Sequence, residues 1–186
     1  GAPQTWHSGL PVAWHNSTWV GDRTIAYLQD HQARHESQPF VLWASFPDPH
    51  HPFDCPVPWS LLHDPAEIDL PAHRTLDLDR RPWWHRASLE GKPKIREDLA
   101  KIREQYSRVR QLSDVELREI IANTYGMLAL IDHNVGRIMA ELHRLGIADD
   151  TLVVYASDHG DWLGDHGLLL KGPMPYEGLL RVPLVM

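Results

Sequence analysis

The chain has 186 residues and a formal charge of −7, with 42% apolar and 23% charged residues. That length suits one domain with a proper core, and the ordinary composition excludes disorder along the whole chain. No apolar run approaches the ~18 residues of a membrane helix, no basic stripe marks a nucleic-acid binder, and a single cysteine excludes an internal disulfide. No signal-like start precedes the first polar residues, and a chain without disulfides leaves the compartment open.

In chain order, Asn16–Gln29 reads as a helix: Asn16 or Ser17 caps it, and Trp19, Ile25, Ala26 and Leu28 give a partial apolar face. Asn16-Ser17-Thr18 also matches a glycosylation acceptor, but a helix cap explains it better. The continuous apolar run Pro39–Phe46 predicts a strand buried on both faces, as in a parallel sheet. Eight prolines between 47 and 91 then break regular structure, while Phe53, Trp59, Trp83 and Trp84 favour an ordered excursion over a free linker.

Ser113-Asp114-Val115-Glu116 forms a capping box, with serine and glutamate each satisfying an orphan helix amide. Apolar residues follow at three- and four-residue steps from Leu117 to Leu145, a long amphipathic helix that Gly146 is placed to end. Thr151–Ser157 is β-branched and apolar, a second strand. Strand, long loop, helix, strand indicates an α/β layered fold with parallel strands.

In open α/β sheets ligands bind beyond the carboxyl ends of strands, and both predicted strands run into polar clusters there. The first leads to Asp48-Pro49-His50-His51-Pro52. The second leads to Ser157-Asp158-His159-Gly160-Asp161, then Gly164-Asp165-His166-Gly167 and Lys171. Within a regular strand Asp158 and His159 would face opposite ways, but Gly160 lets the chain turn and the two side chains converge. A carboxylate and an imidazole suit Ca²⁺, Mn²⁺ or Zn²⁺, although two ligands are too few. Each cluster also has a plainer reading. Asp158 and His159 can bond their local backbone, Lys171 can end a buried leucine run by reaching water, and His50 and His166 can brace turns. Asp132 reads as a polar brace, and Cys55, with no base beside it, as an inert thiol.

Taken in order, these segments resemble the sulfatase family. Thr151 through Gly160, Gly164-Asp165-His166-Gly167, Lys171, Tyr176-Glu177 and Arg181-Val182-Pro183 resemble its carboxyl-side half. Pro39 through Phe46 with Pro49-His50-His51-Pro52-Phe53 resembles its strand-and-histidine segment, Tyr125 through Ile138 its intervening helix, and Trp19 through Arg23 a preceding helix. The likeness is weakest over 54–112. It implies an alkaline-phosphatase-like α/β/α fold with a mostly parallel sheet, incomplete here. Residues 1–186 would form part of a catalytic domain, with 47–112 a loop-rich excursion inside it.

The resemblance also implies hydrolysis of sulfate esters, of small molecules or of sulfated glycans. It assigns Asp158 and His159 to a divalent metal, Ca²⁺ first and Mn²⁺ as the alternative. Lys171 is assigned to the sulfate, and His50 to the sulfate or the leaving-group oxygen. The family's nucleophile is a formylglycine made within a Cys/Ser-x-Pro-x-Arg segment near the amino terminus. Cys55, followed by Pro56, does not fit that segment. The chain, opening on Gly1 and stopping in an apolar run, thus reads as a sulfatase without its amino-terminal part, inactive alone. An exposed sheet edge could pair it with a second copy. Two other readings are a phosphonate monoester or phosphodiester hydrolase of the same superfamily, and a non-catalytic α/β binding module.

Overall fold

A computed structural model of the chain describes residues 1–35, 38–72, 83, 86, 112–172 and 174–186. Much of the expected 47–112 excursion, including Trp84, lies outside these. Two compact units form. One comprises Gly1–Gln4, Pro65–Ile121 and Val154–Val185, and the other Thr5–Asp64, Ala122–Val153 and Met186.

The longest helix, α2 (Asp114–Arg144), begins at the predicted capping box. Ser113 N–H donates to Glu116 Oε2 at 2.9 Å, and Glu116 N–H donates to Ser113 Oγ at 3.3 Å. It ends as the sequence predicts. Gly146 takes φ +72°, and Ile147 N–H reaches back to Leu142 O at 3.1 Å, satisfying carbonyls that would otherwise be orphaned. The first helix, α1 (Asn16–His35), starts where expected and runs six residues further.

In the second unit, α1 and α2 cross closely. A Cβ on Gly21 would stand 2.5 Å from Asn134 Oδ1. Asn134 is fully buried; it donates to Leu130 O at 2.8 Å and accepts from Arg137 at 2.8 Å, while Arg137 pairs with Asp22. The brace is therefore Asn134 with Arg137, and Asp132 is exposed. Two short strands, β1 (Thr5–Ser8) and β2 (Phe53–Pro56), pair in parallel. The buried Asn123 amide donates to the carbonyls of Trp6 and Phe53 and so ties this ladder to α2. Gly126 lets α2 approach Cys55 and the Trp59 carbonyl, which a Cβ there would meet at 2.5 Å.

Two expected strands are not realised as drawn. Residues 39–46 carry no ladder, and Val41 and Trp43 are 100% and 89% exposed. An apolar run becomes a strand only where a neighbour takes its backbone bonds, and among the described residues none does. In 151–157 only β3 (Tyr155–Ala156) is paired, antiparallel to β4 (Leu184–Val185). Conversely, β2 forms within the proline-rich stretch because Phe53 and Cys55 are buried.

The end of α2 carries a charge-dependent contact. Glu141 accepts from Arg144 Nε at 2.8 Å and from Gln29 at 2.9 Å, and the Arg144 bond above all lowers its carboxyl to about 2. A depressed carboxylate contributes stability in full above its unfolded pKa, ~4.3, and loses it as the pH falls toward the folded value. Denaturant unfolding should therefore show the wild type losing more stability than Glu141→Gln as the pH is lowered from ~4.5. Parallel losses would exclude this contact as an acid-sensitive tie.

Candidate active site

Just past β3 the chain turns at Gly160, where a Cβ would lie 2.0 Å from the Gly178 carbonyl oxygen. Gly160 N–H donates to Leu179 O at 2.9 Å, seating the turn on the short helix α3 (Glu177–Leu180). Beside it the two predicted metal-site residues come together. Asp158 Oδ1 accepts from the His159 N–H at 2.9 Å, leaving Oδ2 directed at the ring. His159 Nδ1 lies 2.8 Å from Gly160 O. A carbonyl only accepts, so Nδ1 carries the proton and Nε2 keeps its lone pair. Nε2 and Asp158 Oδ2 then face each other at 3.7 Å, too far for a hydrogen bond.

Ligand atoms lie about 2.0–2.6 Å from Zn²⁺ or Ca²⁺, so that gap can be bridged by two bonds to one ion. Tying the other ring nitrogen to a carbonyl is how metal-binding histidines are oriented. Two ligands alone do not make a shell. Among the described residues no three His, Cys, Asp or Glu side chains gather where they could hold a metal ion.

Lys171 is linked to this turn through a tight loop. Asp161 Oδ1 accepts from both Leu163 N–H at 2.9 Å and Leu170 N–H at 2.8 Å, and Trp162 N–H donates to Leu170 O at 3.0 Å. The neck of the loop is thus closed one residue before Lys171. Trp162 packs with Leu168, Met174 and Leu179, and a Cβ on Gly172 would stand 2.9 Å from its ring. Inside the loop Leu163, His166 and Leu170 take φ of 43°, 53° and 67°. Left-handed backbone costs a non-glycine residue ~1–2 kcal/mol, so the neck contacts must offset that strain. Burial raises the Asp161 carboxyl, while the two amides and the charge of Lys171 pull it back. The His166 ring lies tilted against Tyr176, centroids 4.0 Å apart, and stands 3.6 Å from Asp165, the turn-bracing place expected of it.

His50 belongs to the second unit. Its Nδ1 lies 2.6 Å from His51 O and its ring stacks on His51 at 4.2 Å, again leaving Nε2 as the nitrogen that this bond does not use. Cys55 is buried, and burial, with Asp48 and Asp54 nearby, pushes its thiol up to about 12. It is inert, as the sequence suggests. Sequence reasoning missed Asp161, and also His15 and Ser17, which contact the His50 segment. The only signal for these two was their place at a helix start just ahead of that segment.

A family model described as sulfatase matches residues 13–186. The chain belongs to the sulfatase family. It is 32% identical over 169 residues to an arylsulfatase of Clostridium perfringens, covering 91% of this chain and 31% of that protein. It is 30% identical over 185 residues to the multifunctional alkaline phosphatase superfamily protein PehA of Trinickia caryophylli, covering 96% of this chain and 34% of the relative. The chain thus spans about a third of the length of these curated relatives. Among solved structures, the phosphonate monoester hydrolase of Agrobacterium radiobacter superposes with a TM-score of 0.74 at 25% identity, over 98% of this chain and 35% of that one. The fold is the alkaline-phosphatase-like α/β type of these sulfatase-superfamily hydrolases.

The Asp161 geometry sets an expectation for stability. Asp161→Ala strands two amides and should cost about 2–3 kcal/mol in denaturant unfolding. Asp161→Asn keeps an acceptor oxygen and should cost less than half as much. Equal losses for the two variants would contradict the role given to this side chain.

Proposed function

We propose that the whole protein to which this chain belongs hydrolyses sulfate monoesters, and that Asp158, His159, Lys171 and His50 serve that reaction. The observation that carries this reading is the pairing of Asp158 Oδ2 with a lone-pair-bearing His159 Nε2 at 3.7 Å. Such a pair fits two ligands of a divalent ion, and the sulfatase likeness puts Ca²⁺ before Mn²⁺. When bound, that ion supplies positive charge against the oxygens of the transferring sulfate.

The chain's own residues do the rest. Lys171, exposed at the loop neck, brings an ammonium to a sulfate oxygen and stabilises charge as the S–O bond to the leaving group breaks. His50, with its Nδ1–H committed to His51 O, serves as the imidazolium: it carries a second proton on Nε2, gives that proton to the departing oxygen and is left as the neutral ring. The nucleophile we assign is the family's formylglycine, outside these 186 residues. Residues 1–186 alone are accordingly expected not to turn over.

A second reading, hydrolysis of phosphonate monoesters, is favoured by the likeness to the Agrobacterium radiobacter enzyme. Both substrates present an anionic tetrahedral centre, which a metal and a lysine stabilise alike. The test uses the whole protein with Ca²⁺ or Mn²⁺ and compares kcat/KM for 4-nitrophenyl sulfate and 4-nitrophenyl phenylphosphonate. We expect the sulfate to be preferred, Asp158→Ala to lose bound metal by elemental analysis, and Lys171→Ala to lower turnover roughly 10²–10³-fold. Preference for the phosphonate would favour the second reading. Full metal content in Asp158→Ala would remove the pair from the metal site.

A further inference from the structure

The segment that carries His50 is held at both ends by residues at the start of α1. His15 Nε2 lies 3.1 Å from Asp54 O, four residues after His50. Since that carbonyl only accepts, Nε2 bears the proton and Nδ1 is left as an acceptor. Ser17 N–H donates to it at 3.4 Å. The Ser17 hydroxyl donates to Asp48 Oδ2, two residues before His50, and the same oxygen stands 3.5 Å from His15 Nδ1. Ser17 is 0% exposed and His15 6%, so these bonds are made away from water and competition is weak. Within the clamp the backbone makes its own turns, His50 N–H to Pro47 O at 3.2 Å and Asp54 N–H to Pro52 O at 2.8 Å.

Serine, histidine and aspartate together invite comparison with a nucleophilic triad, and the geometry excludes it. The serine proton goes to the carboxylate rather than to the ring, and no substrate can reach a fully buried hydroxyl. The cluster instead fixes chain on either side of an exposed histidine. Burial raises the Asp48 carboxyl and the nearby Asp54 adds to this, while the Ser17 hydroxyl opposes both.

We infer that His15, Ser17 and Asp48 are positioning residues that hold His50 Nε2 where it can protonate a leaving group. The inference rests on the role proposed above for His50, and it deepens that reading. A proton donor matters most when the departing oxygen is basic, so displacing it penalises poor leaving groups selectively. Loss of general stability would lower all substrates alike.

The experiment measures kcat and KM of the metal-loaded whole protein on 4-nitrophenyl sulfate and on phenyl sulfate, whose leaving group is poorer. The variants are Ser17→Ala, His15→Ala, His15→Gln and His50→Ala. Ser17→Ala and His15→Ala should lower kcat on phenyl sulfate roughly tenfold more than on 4-nitrophenyl sulfate, with KM little changed. His15→Gln, whose amide can still donate to the Asp54 carbonyl, should recover part of the loss. Ser17→Ala removes one oxygen and carries the test even if His15→Ala does not fold. If His50→Ala is selective against phenyl sulfate and the clamp variants are not, the positioning role is overturned and the acid role stands. If His50→Ala itself shows no selectivity, the acid role falls and the positioning role with it.

Discussion

Each of the two candidate site histidines gives its Nδ1 proton to a carbonyl of its own segment: His159 to Gly160 and His50 to His51. These short bonds decide which ring nitrogen is available for chemistry. A histidine with Nδ1 committed can offer Nε2 as a lone pair to a cation, or as the carrier of a transferable proton. Everything proposed for the two residues depends on that choice. At 159 it also depends on glycine, because any side chain at 160 would collide with the Gly178 backbone and shift the carbonyl that the ring bonds.

The second constraint is the closed loop between the Asp-His pair and Lys171. Three non-glycine residues in left-handed backbone would relax if the neck opened. One half-buried carboxylate and one backbone bond from Trp162 hold it shut, with the Trp162 cluster beneath. The His50 segment is treated similarly, with buried side chains bonding chain on both sides of an exposed working residue. In both cases the exposed group is set by buried neighbours that do no chemistry. Rigid support of this kind is what a charge-stabilising site requires, since donors must be in place before the charge develops.

Local signals were the legible ones. The capping box at Ser113, the apolar period of α2 and its stop at Gly146 depend on residues within a few positions of each other, and all three form as read. The convergence of Asp158 and His159 was legible for the same reason, since Gly160 announces the turn. Strand pairing was not. Whether Pro39–Phe46 joins a ladder depends on a partner that apolarity does not specify, and β1, with exposed Trp6 and His7, gives no alternation to read. The His15–Ser17–Asp48 cluster was invisible because Asp48 lies 31 residues beyond Ser17 in sequence and meets the other two only when the chain folds. Positive φ at Leu163 and Leu170 runs against their residue type, and only the neck contacts account for it.

Backbone carbonyls hold both site histidines with the proton on Nδ1. The most direct measurement is ¹⁵N NMR of the histidine-labelled whole protein at a pH where the rings are neutral, with His50→Gln and His159→Gln supplying assignments. Both neutral rings should show a protonated Nδ1 and an unprotonated Nε2, and the His159 Nε2 signal alone should shift on adding Ca²⁺. A protonated Nε2 on His159, with its signal unmoved by Ca²⁺, would contradict this.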